Sequence, residues 1–256
     1  MEFNAEQIKS EALQINKGFA LMVINKKFKQ FAFRYCADAD RKNIKTFCEN
    51  AGLTINDTKG LKTDDLTADE IEDLFKTISK TDFSSYDAFV CFISSHGDPG
   101  EILGVDGGSI TVKEIIRPIN RCSSLEGKPK LFFIQSGRGY KKHTDISQAK
   151  RRVVADSLGF PSITISIPIE ADILVAYSSL NGYELYRKAS EGSWFITALT
   201  QVLSNHARDM NLTDMLAIVL KMVSGTQHCG RKQTPLFMST LRKTVWFKVL
   251  DCIESG

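Results

Sequence analysis

Four consecutive apolar residues, Leu131-Phe132-Phe133-Ile134, stop abruptly at Gln135-Ser136-Gly137-Arg138-Gly139. A short apolar run closed by small and polar residues reads as a strand buried on both faces of a parallel sheet. A second run, from Ala88 to Ile93, behaves alike and ends at Ser94-Ser95-His96-Gly97-Asp98. In open α/β sheets the ligand crevice lies beyond the carboxyl ends of the strands. The two polar ends are therefore expected at the lip of one cleft, with His96 opposite the 135–139 segment.

The flanking chain alternates in the same sense. Phe19 to Ile24 is another continuous apolar run and reads as a first strand. A helix is expected from about Asp38 to Ala51, because Ile44, Phe47, Cys48 and Ala51 recur at helical spacing and Gly52 follows to end it. Thr67 with Glu70 forms a capping box before the stripe Ile71, Leu74, Phe75 and Ile78. A short helix is expected around Thr111 to Arg117, a strand at Ile173 to Tyr177, and helices at Ser193 to Asn205 and Thr213 to Met222. Leu236 to Thr240 reads as the final strand. The alternation implies an α/β fold, three-layered, with about six mostly parallel strands and helices on both faces. Residues 139–168 break the rhythm, being basic and then rich in Ser, Pro and Ile. A loop of that length inside one domain is functional or disordered.

Composition excludes more than it selects. Lysine and arginine total 33 against 30 acidic residues, and the local basic clusters lack interleaved aromatics, so no nucleic-acid partner is expected. No segment has the apolar length to span a bilayer, and the polar N-terminus is no signal peptide. The six cysteines form no CxxC pair, which fits reduced thiols and a cytoplasmic location. Neither a metal nor a cofactor is expected, since histidines and cysteines lack ligand spacing.

The segments His96-Gly97, GKPKLFFIQSGRG, IPIEADILVAYSS and EGSWFITAL, in this order and register, resemble the caspase family from about Ile15 onward. The resemblance implies a large-subunit-like half at 17–138 after a short extension at 1–16. It also implies an intersubunit linker at 139–168 and a small-subunit-like half at 169–256, the arrangement of a short-prodomain, effector-like caspase. It places the histidine at His96 and oxyanion N–H groups at Gly97 and Gly137. The pocket for a substrate aspartate falls on Arg34, Gln135 and Arg187, with Tyr186 and Trp194 beside it. Two planar guanidinium forks are suited to hold one carboxylate; taken singly, each arginine also reads as a surface ion-pair residue. Asp156 and Asp145 become candidate linker cleavage sites, although any polar loop carries aspartates. Leu236, Phe237, Met238, Ser239 and Thr240 match the strand along which caspases pair.

One position departs from the family. Gly137 stands where the nucleophilic cysteine belongs, and Ser136 where alanine is usual. Attack on a carbonyl needs a thiolate or an activated hydroxyl, and losing the nucleophile of a triad protease costs roughly a millionfold in turnover. Ser136 lies one residue away on an extended backbone, so its side chain points to the other face. The chain is therefore expected to be an inactive homologue, not an enzyme, that regulates apoptosis by pairing with an active caspase or with itself. The alternatives are a decoy for Asp-containing peptides or caspase inhibitors, and a residual aspartate-directed endopeptidase. Glu184 and Leu185 also depart from the family's groove residues, and Cys36 from its glycine.

Overall fold

Apolar alternation builds this molecule from the middle outward. The computed structural model describes residues 11–55, 61–98, 100–137, 171–179, 187–188, 191–228 and 231–248. The strands are β1 (Ala12–Ile15), β2 (Gly18–Ile24), β3 (Leu53–Ile55), β4 (Ala88–Ser95), β5 (Gly97–Asp98), β6 (Glu101–Leu103), β7 (Ser109–Thr111) and β8 (Lys130–Ser136). After the 139–168 segment follow β9 (Ile173–Tyr177), β10 (Arg187–Lys188), β11 (Gly192–Ser193), β12 (Gln227–His228), β13 (Arg231–Lys232), β14 (Leu236–Ser239) and β15 (Thr244–Phe247). The helices are α1 (Ala37–Asn50), α2 (Ala68–Ile78), α3 (Val112–Asn120), α4 (Trp194–His206) and α5 (Leu212–Gly225).

Six strands form the central sheet in the order β14-β9-β8-β4-β2-β3. All neighbours run parallel except β14, which lies antiparallel to β9. Successive residues of β4 and β8 point to opposite faces, and both faces are covered. Val90, Phe92, Leu131 and Phe133 pack with α1, α4 and α5; Phe89, Cys91, Ile93, Phe132 and Ile134 pack with α2 and α3. Burying each of these large side chains contributes about 1.5–3 kcal/mol. The expected three-layer α/β fold, with helices on both faces of a mostly parallel six-stranded sheet, is the fold observed.

A strand that is apolar on both faces cannot set its own register, because a slip by one residue exposes nothing. Polar groups at the strand ends do it here. At the amino end the Asp87 carboxylate accepts from the backbone N–H groups of Asn16 and Lys17 at 2.8 and 2.9 Å, clamping the start of β2 to β4. At the carboxyl end buried Asn25 donates to the carbonyls of Leu66 and Leu103 and accepts from the Leu66 N–H. Register is thus fixed from both ends.

The expected capping box of Thr67 with Glu70 opens α2, and a second reciprocal box, Thr111 with Glu114, which was not expected, opens α3. Two expectations need adjusting. Phe19 is not where the first strand begins, because β2 starts at Gly18 and β1 precedes it, paired parallel with β15. Leu236–Thr240 is not the last strand: β14 ends at Ser239 and β15 follows. The small antiparallel sheet β5-β6-β7 was not expected either; it stands directly after His96.

Candidate active site

The carboxyl ends of β2, β4 and β8 meet, as the strand polarity requires. Ser94 pairs with Gln135, and Ser95 with Ser136, in the parallel register of β4 and β8. His96 leaves β4 and turns into β5. Its Nε2–H donates to the Ala32 carbonyl at 2.8 Å; a carbonyl can only accept, so the proton sits on Nε2 in this contact. The ring is held between Phe28 at 4.6 Å and Phe31 at 5.8 Å, centroid to centroid. The Ala32 carbonyl as orienter of His96 is a backbone contribution that carries no residue-type signal.

Gly97 must be glycine. A Cβ there would lie 2.4 Å from the Glu101 carbonyl oxygen, 3.0 Å from Ser136 Cβ and 3.2 Å from the Gly137 carbonyl oxygen. Gly97 and Gly137 thereby approach each other closely, and both retain their backbone N–H groups. Gln135 is buried, and its Oε1 has no hydrogen-bond partner among the described residues. A buried orphan acceptor costs about 1–3 kcal/mol, which a donor arriving in the cleft would recover. Ser136 is buried in β8, and its carbonyl accepts from the Ser178 hydroxyl.

Arg34 lies in the turn-rich segment before α1, where Phe31, Phe33 and Tyr35 are exposed while Arg34 is buried to 1% exposure. Its guanidinium donates to the Asn25 carbonyl and the Ser94 hydroxyl, both at 2.8 Å. Behind it stands Asp40, in the first turn of α1, whose Oδ2 accepts from Ser94 at 3.0 Å and lies 3.9 Å from Arg34. Burial pushes the Asp40 carboxyl above its ordinary range, against the opposing pull of its hydrogen bonds to Ser193 and of the Arg34 charge. Arg187 lies in β10, in register with Ser193 of β11. Trp194 is half-buried at the start of α4. Tyr186, Glu184, Leu185, Asp145 and Asp156 lie outside the described residues.

Four of the cysteines fall among the described residues, and Cys122 is half-buried. Cys36, Cys48 and Cys91 are buried. Burial holds the Cys48 thiol up at about 12 and the Cys91 thiol well above its ordinary value. Among the described residues no group of three or more His, Cys, Asp or Glu side chains could hold a metal.

A caspase peptidase domain matches residues 17–246, nearly the whole chain. The chain belongs to the caspase family. Among the caspase's relatives, Caspase-3 of Bos taurus is 33% identical over 244 residues, covering 90% of this chain and 84% of the relative. Caspase-3 of Mesocricetus auratus is 38% identical over 195 residues, covering 72% and 67%. Caspase-3 of Mus musculus is 32% identical over 245 residues, covering 90% and 83%. These matches correct one expectation. The glycine at 137 led to the reading that this caspase is not an enzyme, whereas its family and its relatives point to a cysteine protease. Neither the Gly137 backbone nor the buried thiols show a loss of activity, and that reading is withdrawn.

Proposed function

We propose that this caspase acts in the regulation of apoptosis by pairing with an active caspase chain along β14. The observation that carries the reading is the open edge of the sheet. β14 is the end strand, partly exposed along its length, and among the described residues no strand lies on its outer side. The Thr240 N–H donates inward to the Ile173 carbonyl at 2.8 Å. By the two-residue period, the N–H groups of Ser239 and Phe237 then point outward. Unpaired donors and acceptors of this kind are a template for another strand. A second caspase, or a second copy of this chain, offers a strand of the same kind.

The cleft supports a second element of the same reading, the capture of aspartate-containing peptides by Arg34, Gln135 and Arg187. The buried guanidinium of Arg34, a fork of donors beside Gln135 at the strand ends, favours it.

Light scattering on the chain alone, and mixed with an active caspase, tests the pairing. Ser239→Pro removes an outward N–H without touching the ladder to β9, a place where sheets tolerate proline. The wild type should give a mixed or self-paired species of doubled mass, and Ser239→Pro should remain single. Met238→Lys, which puts a charge on the edge, serves as the second variant. A wild type that stays single in both settings contradicts the proposal.

A further inference from the structure

We infer that Asp40 is the positioning residue of the acidic-residue pocket, holding Arg34 with one carboxylate oxygen and the strand pair of Arg187 with the other. The inference rests on the reading of Arg34 and Arg187 as that pocket.

The geometry divides cleanly between the two oxygens. Oδ2 accepts from the Ser94 hydroxyl at 3.0 Å, and Ser94 in turn accepts from Arg34 at 2.8 Å. Oδ1 accepts from both the backbone N–H and the hydroxyl of Ser193, at 2.7 and 2.9 Å. Ser193 is the β11 residue in register with Arg187 of β10. One carboxylate thus joins elements 153 residues apart in sequence, across the segment that divides the two halves.

The surroundings are shaped to this contact. Asp40 is fully buried. Gly192 adopts φ +101, and a Cβ there would sit 2.8 Å from Asp40 Oδ1, so only glycine lets the β11 backbone close over the carboxylate. Asn43, one turn along α1, donates to the Glu191 carbonyl at 3.3 Å and adds a second tie to the same hairpin. Burying a carboxylate is costly unless its lone pairs are satisfied, and here three donors satisfy them. A group held against that cost, tied through Ser94 to Arg34 and through Ser193 to the strand partner of Arg187, fits a role in setting their spacing. Bidentate carboxylate recognition by two guanidinium forks depends on that spacing.

The test compares binding of two fluorescein-labelled peptides, identical but for a terminal aspartate or asparagine, to the full chain by anisotropy. The wild type should prefer the aspartate peptide, and Asp40→Asn, nearly the same in shape, should reduce that preference by about tenfold or more. A role in stability alone would weaken both peptides alike and leave the ratio unchanged, which would overturn the inference. Asp40→Glu should fail to restore the ratio, since its longer stem displaces both arms. Amide exchange at Ser193 reads the second arm without any peptide: it should accelerate in Asp40→Ala, which removes the acceptor, and unchanged protection there would overturn the inference too. Should Asp40→Asn fold poorly, Ser94→Ala cuts only the Arg34 arm and carries the same comparison. A wild type with no aspartate preference would instead remove the pocket reading, while Ser193 exchange still decides whether Asp40 holds β11.

Discussion

Two arginine–aspartate pairs stand at opposite ends of the parallel strands, and they are built in opposite ways. At the carboxyl end Arg34 and Asp40 are both buried, 3.9 Å apart, joined through the Ser94 hydroxyl. At the amino end Asp172, just before β9, takes a forked contact from Arg242, whose side chain is 65% exposed. The Arg242 hydrogen bond holds the Asp172 carboxyl below its ordinary range, whereas burial pushes the Asp40 carboxyl above it. The same two residue types thus serve different ends. Asp172 is itself buried, and it closes the turn between β14 and β15 onto the start of β9 with the desolvation cost outweighed by the Arg242 contact. The Arg34–Asp40 pair is maintained against such a cost, at the lip where His96, Gly97 and Gln135 converge.

The comparison breaks most visibly at Arg34. Arg34→Ala leaves the Asp40 carboxylate buried without its cation, and the loss of stability should be about 3–5 kcal/mol. Chemical denaturation reads it directly, and aspartate-peptide binding should disappear in the same variant. Arg242→Ala is the counterpart, and because the arginine is largely exposed and screened by solvent the loss should be clearly smaller than at Arg34. A loss at Arg242 equal to that at Arg34 would dissolve the distinction between the two ends.

Acid sharpens it further, since the two carboxylates act with opposite signs. Asp172 has a lowered folded pKa, so its contribution is present above the unfolded carboxylate value and is lost as pH falls through the folded one. Asp40 has a raised folded pKa, so the folded state binds the extra proton and is favoured below the unfolded value, losing that advantage as pH rises through the folded one. Melting temperatures between the acid limb and neutrality should therefore flatten on the acid side in Asp172→Asn. In Asp40→Asn the decline with rising pH should be removed. Identical pH profiles for both variants would contradict the assignment.

Much of the frame was legible in the residues, and the reason is local. The continuous apolar runs of β4 and β8, the helical stripes of α1 and α2, and the Thr67–Glu70 capping box each carry their signal within a few positions. Arg34, His96 and Gln135 were legible through the family resemblance, and their polar ends fall at one lip. Asp40 was not. An aspartate in the first turn of a helix ordinarily complements the helix dipole at the surface. Only the approach of Ser193 and Gly192, far along the chain, makes it a buried junction. The β1–β15 pair and the β5–β7 sheet escaped for a related reason, since strands of two to four residues are too short for periodicity to register.

The proposal that this caspase works by pairing is tested most directly by hydrolysis of a fluorogenic peptide ending in aspartate. Rates are measured for the chain alone, for an active caspase alone (bovine Caspase-3 is a suitable probe) and for their mixture across a range of ratios. The mixture should depart from the sum of the separate rates, and Ser239→Pro should restore simple additivity. Additive rates for the wild type at every ratio would contradict the account.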